Sequence, residues 1–296
     1  MTAKKLHDNE VDIDVELVHQ LLVTQFPSWS ALPLDEVRST GTVNAIYRLG
    51  DDLYVRLPRV QAFAGDLEKE LRWLPTLAPR LPLAVPEPVA TGEPGSGYPL
   101  PWAMYRWCAG DTFARDRVGD ERRAAVDLAR FVAALRSFDP SGAPASGRDN
   151  WVRRRDSEAR AAIASLHGLL DTDAATAAWE ASLRAPAWDG IAVWTHGDLL
   201  PPNLLVSDGR LSAVLDFGCV GVGDPAVDVI AAWSVFGADG RDAFRAALDV
   251  DDATWARARG YALHQALLII PYYPETNPAF VAMATRTVEE VLADDA

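Results

Sequence analysis

The stretch HGDLLPPNLLVSDGRLSAVLDFG, residues 196–218, sets two apolar runs around the turn at Asp208-Gly209. Asp-Gly between apolar runs is a strong hairpin signal. Asn203 opens the first predicted strand and Asp216 closes the second, so antiparallel pairing would bring both side chains to one end of the hairpin. Asp198 lies on the loop that enters the first strand. Polar groups beside apolar strands are costly unless they are paired or bound, which predicts a functional site here.

Three of these polar residues suit the chemistry of phosphoryl transfer. Asn203 and Asp216 supply hard oxygen ligands of the kind that Mg²⁺ prefers. Asp198 remains to orient a hydroxyl group and to accept its proton. Either aspartate alone has an ordinary explanation, because Asp is common in turns. Their joint spacing favours catalysis, and Asp224 and Asp228 in the following GDPAVD segment are expected to support the site structurally.

The same residues carry a family resemblance. H-x-D-x-x-x-x-N followed by D-F-G resembles the catalytic and metal-binding loops of protein-kinase-like enzymes. The blocks HGDLLPPNLLV and GDPAVD resemble the aminoglycoside phosphotransferase family, which includes macrolide phosphotransferases, and the resemblance extends from about Arg38 to the last predicted helix. It implies that Asp198 is the catalytic base, that His196 braces the catalytic loop, and that Asn203 and Asp216 hold Mg²⁺.

A kinase-like enzyme must also bind the phosphates of ATP or GTP. The predicted turn in RSTGTVNAIYRL offers Ser39, Thr40, Gly41 and Thr42 as the residues that cradle these phosphates. Arg56 stands where the family's strand lysine is expected. Arginine keeps the positive charge and can bind phosphate through two N–H groups, but it is not equivalent to lysine.

The predicted helix after that strand should supply a carboxylate partner for Arg56. Glu68 and Glu70 compete for this role, and Glu70 is the predicted partner because it lies on the inward apolar stripe of the helix. The strand PWAMYRW resembles the family's interlobe hinge, which implies that backbone groups at Tyr105 to Trp107 bind the edge of the base. Plain packing between lobes explains these aromatic residues equally well.

The order of predicted elements indicates the fold class. Strands with one inserted helix fill roughly the first hundred residues, and helices fill most of the remainder. Apolar residues at helical spacing predict helices over Val15–Phe26, Leu67–Ala78, Glu121–Phe138, Pro225–Phe236, Trp255–Ile270 and Pro278–Leu292. The sequence therefore predicts an α+β protein with two lobes, and the family resemblance implies that these lobes form a protein-kinase-like fold. Residues 1–107 would form a nucleotide-binding N-terminal β-sheet lobe with one long helix. Residues 108–296 would form a mainly helical C-terminal lobe with the catalytic β-hairpin and the acceptor-binding site.

Composition excludes several classes of function. The chain has 42 acidic and 28 basic side chains, a net charge of −14, which argues against nucleic-acid binding and slightly favours a cationic acceptor. Its two cysteines, Cys108 and Cys219, form no C-x-x-C and predict neither a disulfide framework nor a zinc site. An apolar signal segment and a membrane-spanning run are both missing from the sequence. We therefore expect a cytoplasmic protein with no membrane partner and no implied protein partner.

Two other nucleotide-binding patterns fit poorly. Gly221-x-Gly223-x-x-Ala226 superficially matches a dinucleotide fingerprint, but no strand is predicted after it, and the P-loop pattern is absent. The sequence favours transfer of the γ-phosphate of ATP or GTP to a hydroxyl of a small molecule, and the family resemblance implies that this acceptor is an aminoglycoside or macrolide antibiotic. The alternatives are a kinase of the same fold for choline, homoserine or a sugar, and a non-catalytic nucleotide-binding protein.

Overall fold

The computed structural model describes residues 10–37, 43–146 and 152–294. The chain divides into two compact units. The first unit takes Met1–Arg80, Ala84–Ala109 and Val214–Gly218, and the second takes Leu81–Leu83, Gly110–Ala213 and Cys219–Ala296. The assignment of nucleotide binding to residues 1–107 and of acceptor binding to residues 108–296 stays a prediction.

The first unit is built on an antiparallel sheet of five strands in the order β1-β2-β3-β5-β4. Its elements are α1 (Val15–Gln25), β1 (Leu34–Glu36), β2 (Asn44–Leu49), β3 (Leu53–Pro58), α2 (Ala64–Leu77), β4 (Pro88–Gly92) and β5 (Trp102–Arg106). The lobe was expected to have one long helix; its described part holds α2, of 14 residues, and the shorter α1, of 11 residues. Helix α1 buries Val18, Leu21 and Leu22 in the same apolar core as the sheet.

Strand β3 and helix α2 position the charged residues of this unit. The hairpin between β2 and β3 turns at Gly50, whose φ of +59° suits glycine. All six residues of β3 are buried, so Arg56 enters the interior of the unit on that strand. Helix α2 buries Glu70 together with Leu67 and Leu74, as its apolar spacing predicts.

The second unit is mainly helical and contains two small sheets. Strands β6, β8 and β9 form one sheet, and β7 pairs with β10 in the other. Its elements are β6 (Asp111–Thr112), α3 (Glu121–Arg136), α4 (Asp156–Ser165), α5 (Thr172–Arg184), β7 (Val193–Thr195), β8 (Leu204–Ser207), β9 (Arg210–Val214), β10 (Gly221–Gly223), α6 (Ala226–Val229), α7 (Ala231–Ser234), α8 (Ala238–Leu248), α9 (Asp252–Tyr272) and α10 (Pro278–Leu292). The last residue of β9 is grouped with the first unit.

The β8–β9 hairpin turns where the sequence predicts, with φ of +51° at Asp208 and +73° at Gly209. Two consecutive positive φ values match the tight turns that follow the twist of a hairpin. The strands are shorter than predicted. Asn203 does not open β8 but ends a 3₁₀ turn that begins at Pro201, and Asp216 follows the end of β9 by two residues. The prolines explain the first difference, because they lack the N–H that a strand ladder needs.

Helix α9 is the central element of the second unit. It packs against α4, α5, α6, α7 and α10, and twelve of its residues are buried. Such extensive burial explains why its sequence is apolar on most faces. Within the described ranges, no helix combines the length and apolarity that crossing a bilayer requires.

Candidate functional site

The predicted catalytic loop begins directly after strand β7. Thr195 ends the strand, and Gly197 follows with a φ of +86°. A Cβ at Gly197 would lie 2.8 Å from the carbonyl oxygen of Cys219, inside normal contact distance. Both the left-handed backbone and the close approach therefore require glycine at this position.

Buried Asp228 holds this loop from α6. The backbone N–H groups of His196 and Gly197 donate to its two carboxylate oxygens, each at 2.8 Å. Burial raises the pKa of Asp228, although His196 and the two N–H donors oppose that shift. His196 is itself buried, and its Nδ1 accepts from the backbone N–H of Asp198 at 3.2 Å. The imidazole and Asp228 thus fix the backbone just before the Asp198 side chain, the bracing role predicted for His196.

Two amide side chains hold the carboxylate of Asp198. Nδ2 of Asn203 donates to Asp198 Oδ2 at 2.9 Å and to the Asp198 carbonyl oxygen at 2.9 Å. Nε2 of Gln265, on α9, donates to Asp198 Oδ1 at 3.2 Å. The structure therefore brings Asp198 and Asn203 together, as the sequence predicts. Because the nitrogen of Asn203 faces Asp198, its amide oxygen is the atom that remains for a cation.

Gln265 contacts the catalytic loop, and it was not identified from the sequence. It lies 67 residues from Asp198, and only its polarity within the apolar run YALHQALLII marks it. A polar side chain on a largely buried helix needs a hydrogen-bond partner. That requirement is the signal from which Gln265 could have been found.

Asp224 supports the segment that carries Asp228. Its Oδ1 accepts from the backbone N–H of Ala226 at 2.9 Å, at the start of α6. Arg257 of α9 donates to both oxygens of Asp224, from Nε at 3.0 Å and from Nη2 at 3.1 Å. Asp224 and Asp228 are both fully buried. They act as structural supports, as the sequence predicts.

In the first unit, Arg56 contacts Glu70, its predicted partner, and also Asp216, the predicted Mg²⁺ ligand. Its Nη1 donates to Glu70 Oε2, and its Nη2 donates to Asp216 Oδ1 at 2.8 Å. Asn44, with its amide oriented to satisfy both groups, accepts from Arg56 Nε at 3.1 Å and from Nη2 at 3.0 Å. Glu68 is exposed, so the geometry selects Glu70 of the two candidates.

Charge and backbone geometry mark this cluster as unusual. Burial opposes the charge of Arg56, but Glu70 and Asp216 outweigh it and keep the pKa of Arg56 above its ordinary value. Asp216 has a φ of +61°, a left-handed conformation that costs a non-glycine residue energy and that concentrates at functional sites. Lys69 Nζ donates to the carbonyl oxygen of Gly218 at 2.7 Å, which holds the residues that follow Asp216.

The donor atoms fit Mg²⁺ better than a softer metal. No group of three or more His, Cys, Asp or Glu side chains within the described ranges forms a ligand cluster. Mg²⁺ differs from zinc in this respect, because it is normally held by one or two protein oxygens together with phosphates and water. The carboxylate of Asp216 and the amide oxygen of Asn203 are donors of that type, and their binding of a single ion stays a prediction.

The predicted base-binding residues belong to a packed aromatic group. Tyr105 is fully buried and stacks on Tyr54 with ring centroids 5.1 Å apart. The backbone N–H of Trp107 donates to the carbonyl oxygen of Asp52 at 2.8 Å, and Arg48 lies over the Trp107 ring. The N–H of Trp107 is thus engaged within the unit. Base binding at Tyr105 and Trp107 stays a prediction.

The predicted phosphate-cradling turn is not part of this geometry. Ser39, Thr40, Gly41 and Thr42 lie outside the described residues. Their role stays a prediction from the sequence.

Sequence comparison relates the chain to known phosphotransferases. It is 28% identical over 216 residues to an aminoglycoside 3′-phosphotransferase of Escherichia coli, a match that covers 68% of this chain and 75% of that protein. It is 27% identical over 166 residues to the uncharacterized protein YcbJ of Bacillus subtilis (strain 168), covering 53% of this chain. The chain spans only half the length of YcbJ, at 50%.

Solved structures share the fold. The GDP and kanamycin complex of APH(2″)-IIIa aligns with a TM-score of 0.72 at 21% identity, covering 94% of this chain and 99% of that one. A macrolide 2′-phosphotransferase type I aligns with a TM-score of 0.63 at 20% identity, covering 94% and 98%. This likeness establishes a protein-kinase-like phosphotransferase fold with mixed helix and sheet.

The strongest relation is to a family rather than to one protein. Residues 36–261, well over half of the chain, match the phosphotransferase enzyme family. This match confirms the resemblance to aminoglycoside phosphotransferases read from the HGDLLPPNLLV and GDPAVD blocks, and it confirms the expectation of a kinase-type enzyme at the level of the family. The chain belongs to the phosphotransferase enzyme family.

Proposed function

We propose that the protein transfers the γ-phosphoryl group of ATP or GTP to a hydroxyl of an aminoglycoside or macrolide antibiotic. The observation that carries this proposal is the hydrogen bond from Asn203 Nδ2 to Asp198 Oδ2 at 2.9 Å. It joins the predicted base to the predicted metal ligand five residues later. A phosphoryl-transfer site needs this pairing of a hydroxyl-orienting carboxylate with an oxygen ligand for Mg²⁺.

Asp198 is assigned the chemical role in transfer. Its carboxylate orients the acceptor hydroxyl and takes its proton as the hydroxyl oxygen bonds to the γ-phosphorus. The bond between that phosphorus and the β–γ bridging oxygen breaks, and the nucleoside diphosphate leaves with the bonding electrons. Little covalent work falls to the protein in such reactions, so positioning and electrostatics supply most of the rate.

Asn203 and Asp216 are assigned to hold Mg²⁺, which would neutralise the charge that develops on the phosphates during transfer. Arg56 donates to the Asp216 side chain, and Glu70 and Asn44 hold the guanidinium of Arg56 in place. Arg56 is also assigned to the donor phosphates, since it places a permanent positive charge beside Asp216. Ser39, Thr40, Gly41 and Thr42 are assigned to the same phosphates from the sequence alone.

Relatives and charge support the class of acceptor. One structural neighbour is a complex with GDP and kanamycin, and another is a macrolide phosphotransferase. The E. coli relative is an aminoglycoside 3′-phosphotransferase. The net charge of −14 slightly favours a cationic acceptor, and aminoglycosides are cationic. A cytoplasmic location follows as part of the same proposal, because ATP and GTP are cytoplasmic donors.

The test is a transfer assay with γ-labelled ATP and γ-labelled GTP against aminoglycosides, macrolides, choline, homoserine and a set of sugars, each with Mg²⁺. We expect label in at least one antibiotic. Label only in choline, homoserine or a sugar would replace the acceptor class with the metabolite alternative. Nucleotide binding without transfer to any acceptor would overturn the catalytic proposal in favour of a non-catalytic nucleotide-binding protein.

A further inference from the structure

Helix α9 presents three polar side chains on one face, at intervals of four residues. Arg257, Tyr261 and Gln265 occupy this face, and each makes a polar contact outside the helix. Residues four apart on a helix lie one above the other, so the three form a single stripe. The stripe runs along a helix in which twelve of the 21 residues are buried.

The first two residues of the stripe fix α9 to the GDPAVD segment. Arg257 donates two hydrogen bonds to the fully buried Asp224, and the Tyr261 hydroxyl lies 3.4 Å from Asp224 Oδ2. Paired N–H bonds from a guanidinium to a carboxylate define orientation as well as distance. These contacts therefore fix the position of α9 along its axis, and with it the position of Gln265 beside the catalytic loop.

Gln265 uses that position to hold Asp198. Its Nε2 donates to Asp198 Oδ1 at 3.2 Å, while Asn203 Nδ2 donates to the other oxygen at 2.9 Å. With one amide on each oxygen the plane of the carboxylate is set, and so is the direction in which it can accept a proton.

We propose that Gln265 is a positioning residue for Asp198, acting on phosphoryl transfer only through the orientation of that carboxylate. This inference rests on the proposed function. A hydrogen bond to a charged group is stronger than one between neutral groups, and small misplacement of a catalytic group lowers rates by about 100-fold. The loss should appear in kcat, because Gln265 is not assigned a contact with either substrate.

The central variant is Gln265→Met, which keeps a side chain of similar length and removes the donor. We expect kcat for transfer to fall about 10- to 100-fold, with the acceptor KM and the nucleotide Kd each within about threefold of wild type. Gln265→Glu, which places a like charge beside Asp198, should lower kcat at least as much. Gln25→Met is the matched control, because Gln25 also makes two hydrogen bonds but joins α1 to Glu93 in the first unit.

A double variant separates positioning from general packing. In an Asp198→Asn background, Gln265→Met should leave the residual rate unchanged, because residues that act as one unit are not additive. A further loss of the same size in that background would overturn the inference, and so would a Gln265→Met enzyme with the kcat of the Gln25→Met control. A wild-type protein that labels no acceptor would overturn the proposed function as well. Thermal unfolding of each variant checks that it is folded at the assay temperature.

Discussion

The guanidinium of Arg56 donates hydrogen bonds to three side chains at once, in fixed directions that a lysine ammonium group would not match. Its guanidinium donates to Glu70, Asp216 and the Asn44 amide oxygen, and its side chain is almost fully buried. A planar fork with five donors suits several acceptors at fixed angles, whereas lysine offers one compact charge. The arginine at this position is therefore matched to its surroundings, since Asn44 supplies the extra acceptor that lysine would not need.

Substitution at Arg56 should destabilise the protein in a graded way. Arg56→Met leaves two carboxylates without their cation and should lower the free energy of unfolding by about 3–5 kcal/mol, since breaking a buried pair is strongly destabilising. Arg56→Lys keeps the charge but loses part of the fork and should cost about 1–3 kcal/mol. Equilibrium denaturation in urea measures both values.

The double variant Arg56→Met/Glu70→Met provides the check on that explanation. It removes one of the uncompensated charges, so it should recover part of the stability lost in Arg56→Met. The account of Arg56 fails if the double variant is less stable than Arg56→Met by as much as Glu70→Met alone destabilises the wild type.

Gly197 offers a second test at the level of one residue. A left-handed backbone costs an L-residue about 1–2 kcal/mol. Gly197→Ala should lower the free energy of unfolding by more than that, because the added Cβ would also meet the Cys219 carbonyl oxygen. Gly142→Ala is the matched control, with a φ of +74° and no atom within 4 Å of the added Cβ. Urea denaturation measures the loss of unfolding free energy in both variants. Equal losses in Gly197→Ala and Gly142→Ala would contradict the role assigned to the close contact at Gly197.

Among the elements, α9 carries the largest share of the second unit's interior. Its N-cap Asp251 accepts from the Thr254 backbone N–H at 2.8 Å and from the Thr254 hydroxyl at 2.7 Å. Partial burial raises the pKa of Asp251, but these hydrogen bonds and nearby Arg257 outweigh it and leave the pKa below its ordinary value. The carboxylate form is therefore the one that stabilises the start of the helix.

This shift predicts a pH dependence. Asp251→Ala should lower the free energy of unfolding by about 1 kcal/mol at pH 7, the usual cost of losing an N-cap. A depressed carboxylate pKa stabilises the fold above the unfolded-state value of about 3.9, and that stabilisation disappears as the pH falls through the lower folded-state value. The difference between wild type and variant should therefore shrink below about pH 4.

Asp251→Asn serves as the control for that experiment, because asparagine caps helices about as well as aspartate but does not titrate. Unfolding measured from pH 7 to pH 3 should show no acid-dependent loss of the Asn cap itself. A constant difference between wild type and Asp251→Ala across this range would contradict the assigned role of the carboxylate.

Periodicity predicted the long elements well and the short ones poorly. The spacing of apolar residues indicated α1, α2, α3, α9 and α10 close to their observed bounds. Strands β7 and β10 were not predicted, because three residues are too few to show an alternating pattern. The helix predicted over 225–236 is split into α6 and α7, and α8 was not anticipated.

At the scale of the whole molecule, local motifs identified the main residues of the candidate site. The contact partners of those residues were harder to predict. The motif spacing gave Asp198 and Asn203, which the structure joins by a hydrogen bond, and the apolar stripe of α2 selected Glu70 for Arg56. Asn44, which lies across the β2–β3 hairpin from Arg56, and Gln265, which lies 67 residues from Asp198, were both missed. No local pattern encodes which polar side chain of β2 or α9 faces a given carboxylate, since tertiary packing decides it.

The central claim is that this member of the phosphotransferase enzyme family uses Asp198 to transfer phosphate to a small-molecule hydroxyl. The direct measurement compares wild type and Asp198→Ala for transfer from γ-labelled ATP or GTP to the acceptor that wild type labels best, together with the nucleotide Kd of each. We predict that Asp198→Ala lowers kcat by about 10²–10⁴-fold and leaves the Kd nearly unchanged. Transfer by Asp198→Ala at the wild-type rate would contradict the claim.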